Sequence, residues 1–338
     1  MKLIAWNCRG LGNALAVHGL LNIQKEEDPD ILFLSETKME ENKVKGFRWK
    51  LGMTNCFTKD CNGRSGGLAL FWKNGVDLFV RAVSRLYIDA DVMENDGFIW
   101  RFMGFYGEPS SDKKDVSWHA LRVLNVARWR PWICMGDFNE ILLSCEKDGG
   151  VPRPQVCMDK FKEALDDCGL HDLGFEGDVF TWQNNSHTSE HYIRERLDRA
   201  VADGEWRERF PGYRVINGDQ RHSDHRHVIV NTEDLYGGEN TRPGATFHFE
   251  AGWVEEEQCG VIIENAWKLA TQVRGEKVEN AVKGVASDLW DWSKNILGDL
   301  ERRIKFARKK LELRRRMPIS AHIVGREQIL KYKLERLE

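Results

Sequence analysis

No window of 18 consecutive apolar residues occurs in the sequence, so nothing in it reads as a membrane-spanning helix. The eight cysteines (8, 56, 61, 134, 145, 157, 168 and 259) form no Cys-x-x-Cys pair and no zinc-ligand spacing, which sets aside structural zinc and a redox dithiol. Internal repeats and low-complexity tracts are also missing. The apolar run near the N-terminus, Leu3-Ile4-Ala5-Trp6, is too short for the core of a secretory signal. The expectation is a soluble, intracellular chain with reduced and mostly buried thiols.

What is present is globular: 338 residues, 41% hydrophobic, with 13 tryptophans, enough for one large domain or two ordinary ones. A net charge of −3 conceals an asymmetry, because residues 301–338 carry +8 and the remainder −11. The field at any one site depends on arrangement rather than on that total.

The first forty residues read as a β-α-β unit: a strand at Lys2–Trp6, a helix at Leu15–Lys25 and a strand at Asp30–Leu34. Strand-like runs follow at Gly67–Trp72, Val76–Val83, Tyr87–Val92 and Phe98–Tyr106, separated by Asn74-Gly75 and Asn95-Asp96-Gly97 turns, as in an antiparallel meander. Helices are expected at Lys113–Ala127, Asp159–Cys168 and Leu197–Phe210, the last stopped by Pro211. Strands are expected at Trp132–Met135, Phe180–Trp182, Tyr213–Asn217 and His227–Asn231. Two groups of strands with attached helices predict an α+β fold, two packed sheets with helices on their outer faces.

Composition changes at Leu235–Asn240, which places a linker at 235–246 between a domain at 1–234 and a helical extension at 247–338. From Val282 to Leu311 apolar or small residues recur three or four apart, the pattern of an amphipathic helix with a coiled-coil-like seam. Arg302–Arg316 holds nine basic residues and one acid; Arg302, Arg303, Lys309, Lys310, Arg314, Arg315 and Arg316 read either as a solvated face or as a strip for DNA or RNA.

Chemistry-bearing residues collect at predicted strand ends. Asn7 ends the first strand and Glu36 follows the second, so side-by-side strands would offer an amide oxygen and a carboxylate to a hard cation such as Mg²⁺, with Mn²⁺ as an alternative. Asp137, after Gly136, is placed to align or deprotonate water, and Asn139 and His225 to donate to a phosphate whose charge is growing. Asp198 would orient the imidazole. Singly, each motif is a turn, a cap or a surface pair. Together they describe metal-assisted phosphodiester cleavage.

Their order carries a resemblance. Trp6-Asn7, Leu34-Ser35-Glu36-Thr37-Lys38, Gly104-Phe105-Tyr106-Gly107, Gly136-Asp137-Phe138-Asn139, Thr181-Trp182, Arg196-Leu197-Asp198-Arg199 and Ser223-Asp224-His225 resemble the endonuclease/exonuclease/phosphatase superfamily. That resemblance implies a four-layered α/β sandwich and a divalent-metal phosphoesterase. It implies Asn7 and Glu36 at the metal, Tyr106 and Asn139 on the phosphate, and Asp137 at the nucleophile. Asp224 would assist the metal or the leaving group, and the Asp198–His225 pair the transition state.

Trp-Asn-Cys-Arg-Gly, Phe-Thr-Trp-Gln-Asn and Arg-Leu-Asp-Arg-Ala, with Phe247-His248-Phe249-Glu250, Trp253 and the basic helix, are similar to the endonuclease domain of plant LINE-type non-LTR retrotransposons and its downstream stretch. No Tyr-x-Asp-Asp reverse-transcriptase signature follows. The implied activity is a DNA endonuclease that leaves a 3′-hydroxyl, nuclear if its substrate is chromosomal. Another phosphate ester (RNA, a nucleotide or a phosphoinositide) and a silent nucleic-acid-binding relic are the alternatives. Many relatives carry Asp or Asn where this chain has Arg9; a cation there would either weaken a second metal position or contact a phosphate, and phosphate contact is the favoured reading, with Lys38 a similar candidate for phosphate or metal-site electrostatics.

Overall fold

The computed structural model describes residues 1–63, 65–126, 130–233, 257–273 and 278–337. The chain divides into two compact units, residues 1–236 with 319–324, and residues 237–318 with 325–338. The linker expected at 235–246 and the Phe247–Trp253 segment lie outside the described residues.

In the larger unit the strands begin with β1 (Lys2–Asn7), β2 (Ile31–Ser35), β3 (Asn55–Asn62), β4 (Ser65–Trp72) and β5 (Asp77–Val83). Next come β6 (Tyr87–Met93), β7 (Ile99–Tyr106), β8 (Trp132–Asp137), β9 (Lys147–Asp148), β10 (His171–Asp172) and β11 (Glu176–Gly177). The last are β12 (Trp182–Gln183), β13 (Arg194–Glu195), β14 (Asp198–Ala202), β15 (Arg214–Asn217) and β16 (Val228–Asn231). Six helices accompany them: α1 (Ala14–Glu27), α2 (Glu41–Lys45), α3 (Phe47–Lys50), α4 (Lys114–Val126), α5 (Gln155–Asp167) and α6 (Gly204–Arg209).

One sheet has the order β11-β15-β16-β1-β2-β4-β3, the other β10-β14-β8-β7-β6-β5, and three two-residue strands form a small third sheet, β12-β13-β9. Alternation along each strand builds four layers. From the first sheet, Leu3, Ala5, Phe33, Leu70 and Val228 point inward to meet Ile88, Phe102, Ile133 and Ala200 from the second. The opposite faces take the helices: Ile4, Leu32 and Phe71 pack with Leu20 and Ile23 of α1, and Phe105, Cys134 and Val201 with Trp118 of α4 and Phe161 of α5. Strands sandwiched this way are apolar on both faces, which is why β1 and β2 are continuous hydrophobic runs. Gly104 faces Phe33 of the other sheet with no room for a side chain, since a Cβ there would overlap the Phe33 ring. The result is the expected four-layered sandwich, mainly antiparallel, with parallel pairs at β1–β2, β7–β8 and β11–β15.

Two local expectations fail. Leu197–Phe210 is not one helix: residues 198–202 are β14, paired antiparallel with β8, and only Gly204–Arg209 coils. Asp203 makes the break by capping α6 through Trp206 N (2.8 Å) while its other oxygen accepts from Trp132 N (3.0 Å). Strand β3 has no counterpart among the expected elements; its sequence, Asn-Cys-Phe-Thr-Lys-Asp-Cys-Asn, suits an edge strand with a wet side. Of the cysteines, Cys8, Cys134, Cys168 and Cys259 are buried, whereas Cys145 is exposed.

The remaining described helices are α7 (Glu257–Lys268), α8 (Val278–Arg315) and α9 (Ala321–Glu335). Cys259 of α7 meets Leu289 of α8, with Ile262, Val285 and Trp292 around them. Among the described side chains of α8 the buried apolar positions are Ala281, Leu289, Ala307 and Leu311, and Val282 is exposed, so the seam starts one residue earlier than expected. Among the described residues no helix is long and apolar enough to cross a membrane.

Candidate active site

Strand register brings the chemistry together. β1 and β2 run parallel with Asn7 opposite Ser35, so Asn7 and Glu36 leave the sheet at the same edge. β7 and β8 run parallel with Tyr106 opposite Asp137, and β14 sets Asp198 opposite Asp137 from the other side. His225 precedes β16, the antiparallel neighbour of β1. Six polar side chains from separate strand ends thus emerge at one rim of the two sheets. Gly136 (φ +141°) makes the Asp137 turn feasible, because any Cβ there would run into the Phe105 carbonyl oxygen.

The contacts form two linked groups. In one, the Tyr106 hydroxyl donates to Glu36 Oε1 (2.6 Å), Lys38 Nζ pairs with Glu36 Oε2 (2.8 Å), and Arg9 Nη1 reaches Glu36 Oε1 at 3.4 Å. In the other, Asp198 Oδ2 holds His225 Nδ1 (2.9 Å), while Asn7 Nδ2 donates to Asp137 Oδ2 (2.8 Å) and lies 3.4 Å from His225 Nε2. Arg9 Nε also pairs with Asp224 Oδ1 (3.1 Å). Asn7, Asp137, Asp198 and His225 are each at most 2% exposed, and Glu36 6%.

Of the five described non-glycine residues with positive φ, four belong here: Arg9 (50°), Glu36 (52°), Lys38 (51°) and Asn139 (55°). L-residues occupy that region at a cost of about 1 kcal/mol or more each, and such strain gathers where geometry serves function.

Electrostatics divide the acids. Burial alone would raise the Glu36 carboxyl, but Lys38, the Tyr106 hydroxyl and Arg9 together hold it below its usual range. Asp137 goes the other way, pushed up to about 7 by burial with Asp198 adding, against the pull of His225 and Asn7. His225 is raised to about 9: burial opposes its charge, yet Asp198 and then Asp137 outweigh that cost. Burial and Glu36 push the Tyr106 hydroxyl well up, leaving it a neutral donor. Neighbouring His227 shows the contrast; buried beside Arg221 and Arg226, it drops to about 3 and stays neutral.

A divalent ion of the Mg²⁺ type asks for hard oxygens. The Glu36 carboxylate and the Asn7 carboxamide oxygen supply them, and Asp224 offers a further carboxylate, so the donor set fits. Asn7 Oδ1 accepts only the Arg9 backbone N–H (3.1 Å) among described residues and keeps a second lone pair. Ligand atoms of Asp137, Asp198 and His225 also lie within 4.8 Å of one another. Those atoms are already shared among themselves and with Asn7, which suits proton handling better than an ion cage.

All the body residues singled out by sequence converge here, with two changes of detail. Asn139 spends one amide hydrogen on the Gly107 carbonyl (2.8 Å), leaving the other for a further acceptor. Arg9 is braced between two acids. Sequence reasoning missed the braces: Lys114 donates to the Asn139 carbonyl, Ser223 Oγ to the Asn7 carbonyl (2.7 Å), and Trp182 Nε1 to Asp224 Oδ2 (3.0 Å). Thr181 Oγ1 accepts from Leu197 N and Asp198 N. Thr181, Trp182 and Ser223 stood inside the motifs without a role; Lys114 carried no signal. In the extension, Lys309, Lys310 and Arg316 are exposed and Arg314 is half-buried, while the Arg302 and Arg303 side chains lie outside the described residues. Arg315 is a correction: it is buried between Glu312 (3.0 Å) and Glu327 (3.2 Å), so it faces acids and not a polyanion.

The model of the Endonuclease/Exonuclease/phosphatase family matches residues 4–225. The chain belongs to that family. Its members are metal-dependent hydrolases acting on phosphodiester bonds. Among solved structures, the chain is similar to the endonuclease domain of TRAS1, a telomere-specific non-LTR retrotransposon (18% identity, 68% of this chain and 97% of that one, TM-score 0.53). It is similar to a Neisseria 3′ phosphatase bound to a product DNA hairpin (18%, 68% and 98%, 0.53) and to an AP endonuclease from Archaeoglobus fulgidus (17%, 68% and 98%, 0.54). At these identities the family fold is what is shared. No curated protein matches the chain.

Proposed function

We propose that residues 1–234 are a Mg²⁺- or Mn²⁺-dependent DNA endonuclease of retroelement origin, of the plant LINE type. It nicks a target strand and leaves a 3′-hydroxyl; residues 247–338 are a helical extension whose basic face adds contacts to DNA or RNA. The carrying observation is the convergence of Asn7, Glu36, Tyr106, Asp137, Asp198 and His225 at one rim of the sheets, with Tyr106 bonded to Glu36, Asn7 joined to Asp137 and to the Asp198–His225 pair, and Arg9 linking the two groups. A retrotransposon endonuclease and a DNA-bound phosphatase with this fold support DNA as the substrate. Chromosomal DNA as target implies a nuclear site of action.

A divalent ion held by Glu36 and Asn7, with Asp224 in reach, would supply positive charge against the phosphate oxygens. The remaining work falls to the chain. Asp137, with its pKa lifted toward neutrality, takes the proton of an attacking water, and Asn7 Nδ2 fixes the oxygen that does so. His225, held as imidazolium by Asp198, presents Nε2–H to the phosphate as charge develops. Asn139 and the neutral Tyr106 hydroxyl are further donors. The P–O3′ bond breaks, the water oxygen remains on the 5′-phosphate, and the 3′-oxygen leaves as an alkoxide that takes its proton from solvent water.

Nicking of supercoiled plasmid in Mg²⁺ or Mn²⁺, with a chelator control, tests this reading. Glu36→Ala and His225→Ala are each expected to lower the rate by about 100-fold or more. A wild-type protein that leaves the plasmid supercoiled in both metals sinks the endonuclease; variants that nick like wild type sink the residue roles.

A further inference from the structure

Lys114 opens α4 and is only 6% exposed, although a buried lysine is ordinarily paired with an acid. Among the described residues no carboxylate stands within ion-pair reach of its ammonium. Glu140, the acid whose field it feels most, is bonded instead to Arg153 Nε (3.1 Å) and Ile141 N (3.0 Å). The hydrogen bond that Lys114 does make runs to the Asn139 carbonyl oxygen, which has no other donor among the described residues. Asn139 is thereby pinned on both sides of its Cα: its N–H donates to Asp137 Oδ1 (2.8 Å), its carbonyl is held by Lys114, and its φ is 55°. Those two bonds fix both backbone dihedrals, and so the direction of the side chain, in a left-handed region that costs energy to hold. The start of α4 is a firm mount for this, since Trp118 stacks on Phe161 (4.6 Å) and Ser117 Oγ accepts from Glu108 N (2.7 Å).

We propose that Lys114 is a positioning residue for phosphodiester cleavage: its ammonium locks the Asn139 carbonyl and, through it, aims the remaining Asn139 amide hydrogen at the substrate phosphate. This rests on the reading of the site as a hydrolase with Asn139 as a phosphate donor, and adds a residue that acts only through Asn139. A charged donor suits the task, because a charge-assisted bond to a carbonyl is stronger than a neutral one and holds a turn that its own backbone strain would release. The long stem suits it too, since it spans from α4 to the loop after β8. The Gly107 carbonyl takes the other Asn139 amide hydrogen at 2.8 Å, so the loops after β7 and β8 are tied to each other and to one helix start. With the carbonyl released, the turn is free to rotate, and a donor displaced by about 1 Å loses much of its effect on the reacting phosphate.

The test is a double-variant cycle on the full chain, with plasmid nicking in Mg²⁺ resolved into kcat and KM and thermal melts run beside it. Lys114→Met, close in volume but without a donor, should lower kcat by about tenfold to 100-fold and leave KM for DNA within about twofold, as expected for an interaction made in the transition state. Asn139→Ala should be at least as slow. The double variant Lys114→Met/Asn139→Ala should match Asn139→Ala within about threefold, because a residue that acts through Asn139 has nothing left to position. A merely structural Lys114 would lower the melting temperature and leave kcat of the folded protein alone. Where Lys114→Met does not fold, Lys114→Gln takes its place in the cycle under the same criteria. Three results overturn this inference and leave the hydrolase reading standing: Lys114→Met with wild-type kcat, Asn139→Ala with wild-type kcat, or a double variant slower than Asn139→Ala by the full Lys114→Met factor. Wild type that does not nick overturns both.

Discussion

At the residue scale the site is organised by which protons are kept and which are lent. Asp137 and His225 are both shifted upward, and each shift has a thermodynamic signature. A folded pKa raised above the unfolded one adds stability that is complete below the unfolded value and is lost as pH rises through the folded value. For His225 the window runs from 6.5 to about 9. For Asp137 it runs from 3.8 to about 7. In chelator, the melting temperature of the wild type should therefore decline between pH 6.5 and 9, on the order of 2 kcal/mol in stability. His225→Asn should flatten that decline to the part that Asp137 contributes, which moves to higher pH once the imidazolium no longer pulls it down. Thermal melts at half-unit intervals measure it, and a His225→Asn curve parallel to wild type above pH 6.5 would show that the imidazole is neutral when folded.

At the element scale, the junctions between strands and helices decide what points where. Asp203 serves two elements at once, capping α6 through Trp206 N and anchoring the start of β8 through Trp132 N. Asp203→Ala should cost about 2 kcal/mol or more, since a helix cap and a fully buried acceptor vanish together. Chemical denaturation would read this as a lower midpoint at unchanged slope; a loss below about 0.5 kcal/mol would contradict it. The same junction shows why the sequence misled there. Leu197–Phe210 has helical spacing, and only pairing with β8, a contact between residues some sixty apart, makes its first part a strand. Asn7 and Glu36 were legible because a short β-α-β unit fixes two strand ends locally. Lys114 was not, since its meaning comes from burial under the Asn139 carbonyl, which no local pattern encodes. Edge strand β3 stayed hidden because a strand wet on one side lacks the apolar density of β1 or β2.

At the scale of the whole molecule, charge is divided along the chain, −11 over residues 1–300 against +8 over residues 301–338. A nuclease whose active-site acids are compensated internally by Arg9 and Lys38 gains little net attraction for a polyanion from its body. On the proposed reading, exposed Lys309, Lys310 and Arg316, with Arg315 withdrawn into its acids, are the groups expected to neutralise phosphates without taking part in the chemistry. Neutralised phosphates release counterions, so their number appears as the slope of log affinity against log salt. Lys309→Gln/Lys310→Gln/Arg316→Gln should flatten that slope by roughly 0.9 for each phosphate no longer neutralised, two to three in total, on duplex DNA in chelator. Nicking at saturating DNA should hold its wild-type rate, because none of the three is among the groups that act on the phosphate. An unchanged slope would mean that the basic face of α8 is a solvated surface and that the body alone engages the substrate.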